Sequence, residues 1–114
     1  MSSLITFENM EFGKLTVMEK DGEFFFIGKE VAEKLGYSNT RDALVRHIAE
    51  KDKGVVKHDT LGGRQSFTII NESGLYSLIL SSKLPQAKDF KRWVTTEVLP
   101  SIRKNGGYIK NQKK

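Results

Sequence analysis

Few side chains in this sequence have the type and spacing that catalysis needs. His47 and His58 are the only imidazoles. The pattern puts the first on a helix and the second on a strand, so they do not form the i, i+4 pair that holds a metal on one helix face. Ser73, in Glu72-Ser73-Gly74, lacks the glycine frame of a nucleophile elbow. Leu61-Gly62-Gly63-Arg64 is glycine-rich, but it has neither the spacing nor the lysine of a phosphate-binding loop, and a hairpin turn explains it better. No paired carboxylates flank a lysine as a nuclease would require. Cysteine is absent, which excludes thiol nucleophiles, disulfides and thiolate-bound zinc. No catalytic residue, metal ligand or cofactor is therefore expected, and the chain reads as a non-enzyme.

Nucleic-acid recognition fits the residues better. Val31-Ala32-Glu33-Lys34-Leu35-Gly36-Tyr37-Ser38 has the form of a first helix and turn of a helix-turn-helix, with a small Ala for close approach and Gly four residues later. A polar, basic second helix follows, and Arg41 and Arg46 can each donate two hydrogen bonds to a base edge. The apolar anchor of that helix falls one or two residues late, so the turn is longer than in a compact helix-turn-helix. The plainer alternative is a helical pair packed on a sheet, with Arg46 in a solvated charge stripe. His47 borders the buried stripe and suits packing as well as a phosphate contact. Lys51, Lys57, Arg64, Lys88, Lys91 and Arg92 would meet phosphates if they share a face. Lys57 and Arg64 would form a basic wing, or simply a solvent-facing hairpin. Trp93 belongs to a core or an interface.

The elements that must hold these residues follow from pattern. Residues 4–8 form a weak edge strand. Strands at 14–20 and 23–27 flank Asp21-Gly22, the signal of a type I′ turn. Phe24 to Phe26 put rings on both faces of the second strand, so both faces of the sheet should be covered. Residues 29–35 make a short helix stopped by Gly36 at C′. Asn39 caps a helix of about ten residues, TRDALVRHIA. A second hairpin spans 53–60 and 64–70 around Leu61-Gly62-Gly63. Asn71 caps a third helix, with Leu75, Leu78 and Ile79 inward. Pro85 opens a fourth, with Ala87, Phe90, Val94 and Val98 inward. Pro100 should kink or break it and Gly106-Gly107 should end it. The class is α+β: two hairpins and about four helices, including the helix-turn-helix-like pair.

The chain has 114 residues, 38% hydrophobic and 29% charged, enough for one small domain. No apolar run reaches the eighteen or so residues that span a bilayer, so no membrane partner is expected. The N-terminus lacks the features of a signal peptide. The net charge of +5 is unevenly spread. Residues 1–33 carry seven acids and three bases, residues 34–82 seven bases and five acids, and residues 103–114 five bases and no acid. The body, residues 1–102, is neutral, so a basic face has to be argued locally and not from the isoelectric point.

Several blocks together resemble a known family. Phe26-Ile27-Gly28-Lys29-Glu30-Val31-Ala32-Glu33-Lys34-Leu35-Gly36-Tyr37 is similar to the opening of the Bro-type N-terminal domain of phage antirepressors and large-DNA-virus Bro proteins. The resemblance continues through Arg41-Asp42-Ala43-Leu44, Gly62-Gly63-Arg64-Gln65, Ile70 to Ile79, Ala87 to Val94 and Glu97 to Lys104. It implies a non-enzymatic regulatory module associated with DNA binding, often followed by a separate C-terminal domain. It brings no fixed set of base-reading residues. Residues 1–104 are then the domain and 105–114 a basic, linker-like tail.

The expected function is that of a phage or prophage antirepressor-like domain that binds double-stranded DNA, in the cytoplasm of a bacterial host. The alternative is a module that binds a phage repressor without touching DNA, using Tyr37, Trp93 or Tyr108 as anchors. A homodimer would suit palindromic sites, though no heptad pattern supports one.

Overall fold

The structure, a computed structural model, describes residues 2–105. The elements run β1 (Ser2–Asn9), β2 (Gly13–Lys20), β3 (Glu23–Ile27), α1 (Gly28–Lys34), α2 (Thr40–His47), a short 3-10 turn (Glu50–Asp52), β4 (Lys53–Thr60), β5 (Gly63–Ile70), α3 (Glu72–Ser81) and α4 (Gln86–Trp93). A π-helical turn (Val94–Val98) then joins α4 to α5 (Leu99–Asn105) in one continuous run. The fold is α+β, as expected.

Local chemistry sets most of these boundaries. Asp21 (φ 54°) and Gly22 (φ 82°) both have positive φ, as the type I′ turn demands, and they pair β2 with β3. Gly36 (φ 86°) ends α1: its N–H donates to Glu33 O at 3.0 Å, and the Tyr37 N–H donates to Ala32 O at 3.1 Å. Those two bonds close a Schellman motif and satisfy the last carbonyls of the helix. The Asn39 side chain accepts from Asp42 N at 3.0 Å, and Asn71 accepts from Gly74 N at 2.9 Å, so both asparagines cap as their type predicts.

The two hairpins join into one antiparallel sheet, ordered β1-β2-β3-β5-β4. The seam between them is narrow, consisting of the pairs Phe26↔Ile70 and Ile27↔Ile69. Leu15, Val17, Phe26 and Ile70 point to the side where the helices bring Val31, Leu35, Leu75, Leu78, Phe90 and Val94, and this is the core. Phe12, in the β1–β2 turn, stacks on Trp93 and meets Phe90 edge-on, which ties that turn to α4.

Three expectations need correction. Among the described residues, the sheet is covered on one face only. Met18 and Ile69 are buried apart from the main core, and the face they occupy opens into a cleft of about 350 Å³ lined by Leu4, Met18, Ile27, Val56 and Phe67. Alternating aromatics showed that both faces are apolar, but not that a second layer exists. Helix α2 stops at His47, two residues early, because Ile48 turns extended and packs beside Gly74 of α3. Of the kink or break expected at Pro100, the break does not occur. The proline ring would crowd the carbonyl of Thr96, and the wider π turn just before it absorbs the mismatch. Thr95 and Thr96 donate their hydroxyls to the carbonyls of Lys91 and Arg92 at 2.8 and 2.6 Å, in the same stretch. Gly106-Gly107 and the basic run after them lie outside the described residues.

Candidate nucleic-acid interface

The connection from α1 to α2, Leu35 to Asn39, is five residues long and anchored at both ends. Tyr37 Oη donates to Leu78 O at 2.8 Å, and Ser82 Oγ donates to Leu35 O at 3.0 Å, fastening the connection to α3. Burial pushes the Tyr37 hydroxyl above its ordinary pKa of 10.0, the larger influence, against a hydrogen bond from the Ser81 side chain that lowers it. The rings of Tyr37 and His47 lie 5.5 Å apart, so the last turn of α2 also leans on this connection.

Helix α2 divides cleanly. Ala43 and Leu44 are buried, while Arg41, Asp42, Val45 and Arg46 face outward. Val45 is 69% exposed, an apolar side chain with no core to serve. Arg46 Nε meets Asp42 Oδ2 at 3.2 Å across one turn. Lys53 Nζ donates to Leu44 O at 3.1 Å and caps the end of the helix near β4.

A second feature adjoins α2. Lys29 of α1, Thr40 and Arg41 of α2, and Ser66 and Thr68 of β5 line a cleft of about 230 Å³, together with Ile27, Leu44 and Phe67. Among the described residues, no carboxylate lines it. Four larger clefts each carry at least one. The elements meet closely here because residue 28 is glycine: a Cβ on Gly28 would come within 2.9 Å of a Leu44 methyl and 3.3 Å of Thr68 O.

The predicted contact residues are spread over α2, the 3-10 turn, the β4–β5 hairpin and α4. Arg41 and Arg46 stand on the outward face of α2, and His47 is half-buried against Tyr37. Lys51 is exposed on the 3-10 turn. Lys57 is exposed on β4, opposite Ser66 in the ladder, and Arg64 is exposed at the start of β5. Lys88, Lys91 and Arg92 are exposed on α4, which packs against α3 and the β1–β2 turn. Arg92 shares its shallow cleft with Glu11, Asp89 and Glu97, which disfavours a phosphate there. Trp93 is core, 6% exposed, and Tyr37 is half-buried, so neither is a free aromatic anchor. Tyr108 lies outside the described residues.

Sequence reasoning missed Lys29, Ser66 and Thr68. The hydroxyls alternate at i and i+2 along β5, a signal that they share one face of the strand, but nothing local tells which helix covers that face.

A family model described as the BRO family, N-terminal domain, matches residues 14–100, from β2 through the α1–α2 pair to the first turn of α5. The chain belongs to the Bro-N family. The Bro-N chain is 43% identical over 113 residues to an uncharacterized protein of Haemophilus influenzae, covering 95% of this chain and 55% of that protein. It is 40% identical over 102 residues to Bro-N domain-containing protein 289L of Invertebrate iridescent virus 6, covering 74% of this chain and 24% of the viral one. A third relative, Bro-N domain-containing protein ORF2 of Autographa californica nuclear polyhedrosis virus, is 32% identical over 81% of this chain and 33% of its own length. The Bro-N chain thus spans about half of the Haemophilus protein and a quarter to a third of these viral ones. No solved structure matches it. Among the described residues, no helix is long and apolar enough to cross a membrane.

Proposed function

We propose that this Bro-N domain is a non-enzymatic regulatory module of antirepressor type, acting in the host cytoplasm by binding duplex DNA through the outward face of α2. The observation that carries this reading is the composition of that face. It presents two arginines, one aspartate and an exposed valine on one short helix whose opposite side is locked into the core. Arginine suits guanine edges, and a small apolar side chain suits the thymine methyl. The carboxylate-free cleft beside it adds positive charge where the neutral body otherwise has none to spare.

The test is fluorescence anisotropy with a labelled duplex library, comparing residues 1–114 with a 1–105 truncation that keeps α5 whole. Measurements at about 50 and 200 mM salt bracket the range in which several phosphate contacts are lost. Binding by the truncation, with sequence preference that Arg46→Ala removes, supports the reading. Binding that disappears with the tail, or shows no preference, rejects it.

A second reading, capture of a phage repressor without DNA contact, draws support from the open apolar cleft on the other face of the sheet. Co-purification with a repressor that survives high salt, and that Val56→Ser abolishes, would favour it.

A further inference from the structure

We infer that the cleft between α1, α2 and β5 is the seat of a single backbone phosphate, and that Arg41 is a positioning residue there and not a base reader. This rests on the DNA-binding reading and assigns a division of labour within it. Lys29 and Arg41 enter no hydrogen bond or ion pair among the described residues, and neither do the hydroxyls of Thr40, Ser66 and Thr68. Two cations and three hydroxyl donors therefore line one concavity, with no partner for them among the described residues.

A phosphodiester has the complementary chemistry. Its oxygens accept only, its charge is negative, and a guanidinium can bind two of them at once while an ammonium acts as a point charge. The buried Leu44 borders the cleft on one side, and a charge-assisted bond beside it is stronger than it would be on an open surface. With a phosphate held at its N-terminal turn, α2 has its register fixed. Val45 and Arg46, one turn further on, are then the residues that face the bases, in line with the general split between contacts that position and contacts that specify.

The closing experiment uses the full chain, duplexes of preferred and scrambled sequence, and a salt titration. Lys29→Ala should weaken both duplexes by the same factor, several-fold at about 50 mM, and lower the salt slope by about one. Ser66→Ala with Thr68→Val, which removes hydroxyls but no charge, should weaken both duplexes two- to three-fold and leave the slope unchanged. Lys83→Ala, an equal loss of charge at an exposed position away from the cleft, should leave affinity within experimental error. Equal melting temperatures show that the variants fold. If Lys29→Ala binds like wild type, or if Lys83→Ala costs as much, the phosphate seat is wrong while DNA binding stands. If wild type binds no duplex at low salt, both fall together.

Discussion

Arg46 does not stand free on α2: its Nε lies 3.2 Å from Asp42 Oδ2, one turn back on the same outward face. Both side chains are well exposed, so the pair adds only about 0.3–0.5 kcal/mol to the helix. Its consequence for binding is larger, because the guanidinium must leave or share this carboxylate to reach a base, and the carboxylate itself faces the approaching phosphates. Asp42→Asn should therefore tighten binding to all duplexes several-fold and reduce the ratio between preferred and scrambled sequence. Anisotropy on the two duplexes measures both. Unchanged affinity would mean that α2 does not face the DNA.

Gly28 tests how the cleft is assembled. A methyl group there would meet Leu44 at 2.9 Å and the backbone oxygen of Thr68 at 3.3 Å. The leucine methyl can rotate away but the carbonyl cannot, so Gly28→Ala should cost about 1–3 kcal/mol, in the range of other overpacked sites. Urea unfolding reads the loss. A variant as stable as wild type would show that α1, α2 and β5 separate easily at this point.

Tyr37 supplies a pH-dependent term with a definite sign. Its hydroxyl has a raised pKa in the fold, chiefly through burial, so the folded chain holds this proton more tightly than the unfolded chain. The contribution is complete below pH 10 and declines as pH rises from there through the folded value. Tyr37→Phe loses the bond to Leu78 O and should cost about 1 kcal/mol at neutral pH. The stability gap between wild type and variant should then narrow above pH 10. A gap that stays constant from pH 7 to 11 would contradict this.

Asn71 serves two elements at once. Its side chain accepts from Gly74 N as the cap of α3, and its Nδ2 donates to Asp52 Oδ1 at 3.1 Å on the 3-10 turn. Asp52→Ala keeps the cap and loses the second bond. Asn71→Ala loses both and should cost about 2 kcal/mol, more than the roughly 1 kcal/mol of a cap alone. Thermal melts of the two variants separate the contributions.

How much of this was legible beforehand depends on range. Asp21-Gly22, Gly36 and the capping oxygens of Asn39 and Asn71 act on atoms within four residues of themselves, and each did in the fold what its type predicts. The inward stripes of α3 and α4 were legible for the same reason, since periodicity is local. Ile48 leaves the helix for a contact with Gly74, and the covering of only one sheet face depends on where four helical bodies end up. Neither is encoded in any short window. The candidate site divides the same way. The outward residues of α2 could be named from its period, whereas the partnership of Lys29 with Arg41 and Thr68 exists only because β5 crosses beneath two helices.

Because β5 meets β3 through only two residue pairs, the β4–β5 ribbon is attached to the rest of the sheet at one end. Amide protection along it should fall steadily from Ile69 and Ile70 toward the Leu61-Gly62 turn, with β1–β3 exchanging as a separate, slower unit. The ribbon then behaves as a cantilever whose fixed end carries part of the lining of the phosphate-seating cleft. Bending at its free tip, where Arg64 sits, would let the protein follow grooves of different width without disturbing the α2 face.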